Sequence, residues 1–185
     1  MTSSTSSREG DHVVLGGGCF WCLEAVFQDV DGVLEVTSGY AGGHDPDPDY
    51  RKVCGGGTGH AEVVRIDFDA ARVSLSELLH LFFVIHDPTT PNRQGADVGP
   101  QYRSIILPRD DDQEHLAREL VRELEGAGLW NRPFVTEIAR LERFHPAEPE
   151  HENYYRRNPG QAYCQVVIAP KLAKARSRMG QLFRE

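Results

Sequence analysis

Cys19 follows three consecutive glycines, Gly16, Gly17 and Gly18, and is followed by Phe20, Trp21 and a second thiol, Cys22. The apolar residues Phe20, Leu23, Phe27 and Val30 recur at helical spacing, so Cys19 stands where a glycine turn enters a helix. Free backbone N–H groups and the positive end of the helix dipole favour a thiolate there. This predicts a Cys19 pKa lowered from about 8.5 toward neutrality. The glycines are expected to let a substrate approach the sulfur closely. Cys22 lies one helical turn on, within reach of a C-x-x-C disulfide. Glu62 shares a strand face with the apolar Val64, Ile66 and Phe68, where desolvation favours the protonated carboxyl and makes it a proton donor near neutral pH. Tyr50, in a polar loop, and Tyr102, after a Pro/Gly/Asn loop, offer phenols. A thiol, a protonated acid, phenols and an aromatic floor suit attack on an electrophile whose oxygen takes up a proton, in redox or acyl chemistry.

Each residue also has a plainer reading: Cys19 as a small buried apolar side chain, Glu62 as a carboxylate at a frayed strand start, Tyr102 as a core tyrosine. A dinucleotide fingerprint fails because the position for its last glycine is Trp21, and no Gly-Lys-Ser/Thr follows. A zinc site fails because Cys54 and Cys164 stand alone.

The elements that must position these groups follow from periodicity and punctuation. Residues 1–11 read as a disordered Ser/Thr-rich tail and 12–15 as a strand, before the glycine turn and the helix over 19–30. Strands are expected over 33–38, 61–68, 101–107 and 134–141. Ser74 and Glu77 form a capping box opening a helix through Phe83, and 110–125 is amphipathic with Leu116, Leu120, Val121 and Leu124 inward. The Gly/Pro/Asp-dense segment 39–59 reads as a functional surface loop. Strands and helices mix without strict alternation, which favours an α+β single domain over residues 12–185.

Composition agrees. The chain has 185 residues with 28 acidic and 20 Lys/Arg side chains, a formal net charge of -8. No apolar run approaches the roughly 18 residues of a membrane helix, and the acidic balance argues against nucleic acid. The locally basic stretch 171–184 reads as a solvated helix face. Four cysteines and no apolar leader fit a cytoplasmic protein with reduced thiols.

The segments GGGCFW, SGYAGG, TGHAEV, HDPTT with RQG following, GPQYRS, FHPAE and NPGQAYC together resemble the A-type peptide methionine sulfoxide reductases, from Val13 to about Arg176. The resemblance implies a two-layer α/β plait with a ferredoxin-like core and long functional loops. It implies reduction of the S epimer of methionine sulfoxide, free or in proteins, as repair under oxidative stress. Cys19 would attack the sulfoxide sulfur, Phe20 and Trp21 would receive the S-methyl group, and Glu62 would protonate the oxygen that Tyr50 and Tyr102 bind. Asp97 would help hold the substrate. A sulfenic acid and then an intramolecular disulfide would form, and thioredoxin or another dithiol would reduce it, with no metal or organic cofactor. A monomer is expected.

Two positions depart from the family pattern: Cys22 stands where glycine is common, and Pro100 where threonine is common. Cys164 resembles the C-terminal resolving cysteine of some relatives and Cys22 offers a local route, so the two are rival resolving thiols, with Cys54, at a position not needed for recycling in relatives, a bystander. Competing functions are a general thiol-disulfide oxidoreductase using Cys19 and Cys22, and a non-catalytic module that binds methionine in partner proteins.

Overall fold

The computed structural model describes residues 10–185. The first nine residues of the expected tail lie outside them. Asp11, assigned to that tail, instead opens the first strand, β1 (Asp11–Gly16), where it pairs with Phe68 and its carboxylate meets Arg109.

Helix α1 (Phe20–Phe27) leads into β2 (Val33–Ala41), and a short α2 (Tyr50–Cys54) into β3 (Ala61–Phe68). After β3 comes α3 (Leu75–Ile85), with the Ser74/Glu77 capping box formed, then a small hairpin of β4 (Arg93–Gln94) and β5 (Asp97–Val98). The strand β6 (Ile105–Leu107), the helix α4 (Asp111–Gly126) and two short strands, β7 (Glu137–Ile138) and β8 (His145–Pro146), follow. The chain ends in α5 (Tyr154–Arg157), a π-helical turn over Cys164–Ile168 and α6 (Ala169–Met179).

The sheet order is β7-β6-β1-β3-β2-β8, antiparallel except for the β6/β7 pair. Its four central strands, with α1 between β1 and β2 and α3 between β3 and β6, make a split β-α-β-β-α-β plait. Strand alternation divides the sheet's two faces. Val13, Leu15, Val64, Ile66, Phe68 and Ile106 pack under the helical layer of α1, α3 and α6, while Val14, Val63 and Ile105 face the extended segment that carries Ala139, Leu141 and Phe144. The fold is α+β, as expected. No helix among the described residues is long and apolar enough to cross a membrane.

Two expected strands are mostly something else. Only 105–107 of the segment 101–107 is strand. Pro100 has no N–H to give a ladder, and it opens a 3-10 turn in which Tyr102 N–H donates to Gly99 O at 3.1 Å. Tyr102 therefore sits on that turn and not on a sheet face with Ser104 and Ile106. The segment 134–141 tracks β6 through bonds from Glu137 N–H to Ser104 O and Ala139 N–H to Ile106 O, but β6 is too short to pair more of it as strand. The strand expected over 33–38 runs on to Ala41, and α1 stops at Phe27.

Candidate active site

The glycine turn brings the end of β1 against the start of α1. A Cβ on Gly16 would lie 2.8 Å from Ile105 Cγ2 and 2.9 Å from the Glu62 carbonyl oxygen, and one on Gly17 2.9 Å from Phe82 Cε2. These glycines let the turn nest against β3, β6 and α3. Close packing therefore requires both of them.

Cys19 caps α1 with an extended backbone, φ -64° and ψ 130°. Glu62, the second residue of β3, points under this cap, and its Oε1 accepts the Phe20 N–H at 3.2 Å. The carboxyl is 1% exposed, which excludes the frayed-strand reading. Burial, opposed by the Phe20 N–H and reinforced by Asp97 and Cys22, pushes its pKa up to about 8. At neutral pH Glu62 is an acid with a proton to give.

The Cys19 thiol departs from expectation. Burial first, then the hydrogen bond with Cys22 and the Glu62 charge, push it well above the usual thiol range. One helix-terminal N–H that was expected to serve a thiolate, that of Phe20, is spent on Glu62 instead. Cys22 shifts the other way, and the two thiols titrate as a pair. The Cys22 pKa is lowered to about 7 by the hydrogen bond with Cys19, against its own burial and with help from the Lys171 ammonium and the Tyr163 hydroxyl at 3.7 Å. Gly18 lies close by: a Cβ there would be 4.0 Å from Lys171 Nζ.

Aromatic rings wall one side. The Phe20 ring is buried, with Tyr50 at 6.4 Å and His151 at 5.1 Å between centroids, and Trp21 lies face to face with Tyr154 at 3.7 Å and 6°. Trp21 Nε1–H donates to His151 Nδ1 at 3.1 Å, and Glu148 accepts from the Tyr40 hydroxyl at 3.1 Å and the Tyr50 N–H at 3.2 Å. Burial raises the Tyr50 and Tyr102 phenols, with the Glu62 charge acting on both, so each hydroxyl keeps its proton. Asp97 accepts from the Tyr163 hydroxyl at 2.7 Å.

Cys19, Cys22, Phe20, Trp21, Tyr50, Glu62, Tyr102 and Asp97 thus converge where the start of α1 meets β3, α2 and the β4/β5 hairpin. Cys164 is buried in the π-helical turn, where the neighbouring thiol charge is that of Cys22 and not Cys19. Cys54 is exposed at the end of α2, beside the Tyr50 phenol. Glu148, Glu150 and His151 bring metal-type donor atoms together, but Glu148 and His151 Nδ1 already accept hydrogen bonds within the protein.

Sequence reasoning missed His151, Glu148, Tyr154, Tyr163 and Lys171. Glu148 and Tyr163 lie within the segments FHPAE and NPGQAYC and Lys171 opens the basic stretch, but nothing local assigned them a role, since the partners they meet at the site lie more than 65 residues away in sequence.

A sequence model described as peptide methionine sulfoxide reductase matches residues 11–182. The chain belongs to the peptide methionine sulfoxide reductase family. It is 52% identical over 187 residues to the peptide methionine sulfoxide reductase MsrA of Deinococcus radiodurans, covering 100% of this chain and 91% of that one. Against MsrA of Granulibacter bethesdensis it is 56% identical over 159 residues, covering 86% of each. Among solved structures, reduced Mxr1 from Saccharomyces cerevisiae superposes with a TM-score of 0.80 at 32% identity, over 85% of this chain and 91% of that one. Methionine sulfoxide reductase A of Corynebacterium diphtheriae gives 0.74 at 34% identity, over 83% and 77%. The reductase is thus an oxidoreductase of the A-type family.

Proposed function

We propose that the enzyme reduces the S epimer of methionine sulfoxide, free or in proteins, with Cys19 as nucleophile and Glu62 as acid. The observation that carries this is the buried Glu62 carboxyl, its pKa pushed up to about 8, bonded to the backbone directly after Cys19. The Cys19 sulfur attacks the sulfoxide sulfur, and the sulfoxide oxygen takes the Glu62 proton. Methionine leaves, the oxygen passes to Cys19 as a sulfenic acid, and the Cys19 thiol proton restores Glu62. Tyr50 and Tyr102 donate to the oxygen, Phe20 and Trp21 receive the methyl group, and Asp97 helps hold the substrate. Fixing sulfur, oxygen and methyl at three separate points is what lets a site distinguish epimers.

Of the two rival resolving thiols we favour Cys22, one helical turn from Cys19 and with its pKa lowered to about 7. Its thiolate attacks the Cys19 sulfenic sulfur, hydroxide leaves and takes a proton as water, and a Cys19–Cys22 disulfide remains. Thioredoxin or another dithiol reduces it by exchange, in a reducing compartment such as the cytoplasm. Cys164, buried in the π-helical turn and within reach of the Cys22 charge, would take the disulfide onward. No metal or organic cofactor enters this cycle.

Glu62→Gln tests the assignment with two substrates. Sulfoxide reduction should collapse while reduction of a small disulfide survives. Retained sulfoxide reduction would overturn the assignment of Glu62 as the acid.

A further inference from the structure

Glu24 follows Trp21 by three residues, so both side chains leave the same face of α1. Its carboxyl is 1% exposed, and burial raises its pKa. No Lys, Arg or His approaches it within ion-pair distance among the described residues. Both its oxygens are nevertheless used. Oε2 accepts the Asn153 N–H at 3.2 Å and Oε1 the Tyr154 N–H at 3.1 Å. Asn153 is left-handed, φ 52° and ψ 37°, a conformation that aims two successive amides at one acceptor. The ring of the next residue, Tyr154, lies flat on Trp21.

We propose that Glu24 is a positioning residue of the reductase. By gripping the Asn153–Tyr154 turn from α1, it holds the Tyr154 ring against Trp21 and fixes the indole as a rigid wall of the methyl-binding pocket. The proposal rests on the reading of Trp21 as that wall. Glu24 touches no reacting atom. Its loss should loosen the indole and weaken sulfoxide binding, while attack within a filled site proceeds. Glutamine has one oxygen for two donors and turns its own NH2 on the second, so Glu24→Gln disrupts the grip at nearly constant volume.

The protein has two tryptophans, and Trp130 packs on Phe134 outside the site. Trp130→Phe therefore leaves Trp21 as the sole fluorescent reporter. In that background Glu24→Gln should lower the anisotropy of Trp21 and increase its quenching by acrylamide. With dithiothreitol and a methionine sulfoxide peptide, KM should rise roughly tenfold, as for one lost buried hydrogen bond, while kcat stays within about twofold. Trp21 emission as immobile and protected as before would overturn the proposal. Looser emission with an unchanged KM would overturn it through the pocket reading, showing that Trp21 is held by Glu24 but does not bind substrate. If Glu24→Gln does not fold, Tyr154→Leu decides the matter, because it keeps both backbone bonds and removes only the ring. The same rise in KM supports the proposal, and an unchanged KM overturns it.

Discussion

Replacing Glu62 by glutamine removes one proton and little else, and the structure sets the size of the consequence. A carboxyl with its pKa near 8 is about nine-tenths protonated at pH 7, whereas one at 4.5 would be about 0.3% protonated. Burial on the second residue of β3 thus multiplies the available acid roughly 300-fold, within the 100- to 10,000-fold that a positioned general acid typically supplies. Glutamine can still accept the Phe20 N–H, so the start of α1 should keep its shape. The assay is a rapid-quench single turnover with an (S)-methionine sulfoxide peptide, counting methionine formed before any recycling, from pH 6 to 10. The native rate should fall as pH rises through about 8, where Glu62 loses its proton, and the variant should be at least about 100-fold slower with that decline gone. A variant within about fivefold of the native enzyme would refute the reasoning, since the buried proton would then be idle.

The same shift has a stability cost with a definite sign. The folded-state pKa of Glu62 is raised, so its contribution is fully present below about 4.5 and is lost as pH rises toward 8; at pH 7 the deficit is about 3 kcal/mol. Glu62→Gln should therefore melt higher than the native protein at pH 7, with the gap closing near pH 4, as calorimetry across pH would measure. Lys171→Met should raise the Cys22 pKa and slow disulfide formation at pH 7 but not at pH 9.5, a difference that stopped-flow detection of the sulfenic acid would resolve. Cys22→Ser should leave a Cys19 sulfenic acid that dimedone captures, whereas Cys164→Ser should still form the first disulfide and lose only thioredoxin-driven turnover. Gly17→Ala should destabilise the fold by about 1–3 kcal/mol in urea unfolding, because its Cβ would press on Phe82 and His86.

Where local pattern dominates, the sequence was a sound guide. The alternation over β3 placed Glu62 on the apolar face, the Ser74/Glu77 pair opened α3, and the glycine turn set Cys19 at the cap of α1. What it could not carry was competition between neighbours that only the fold brings together. The Phe20 N–H looks free for a thiolate until β3 delivers the Glu62 carboxyl to it, and the pull of Lys171 on Cys22 appears only when α6 packs on α1. In the thiol pair the Cys19 pKa is therefore shifted up, against expectation, and that of Cys22 down. Tyr102 was misplaced for a local reason, the missing N–H of Pro100 that starts a turn instead of a strand. His151 and Tyr154, which hold Trp21 from two sides, lie 130 or more residues from it, and no spacing rule reaches that far.

The central claim is that one oxygen passes from the sulfoxide to Cys19 beside a protonated Glu62. It is tested most directly by mass spectrometry of the Cys22→Ser, Cys164→Ser double variant after one equivalent of (S)-methionine sulfoxide peptide and dimedone. The account predicts one methionine per protein chain and a dimedone adduct on Cys19 alone, with neither formed from the R epimer. Methionine formed without a Cys19 adduct, or an adduct on Cys54, would contradict it.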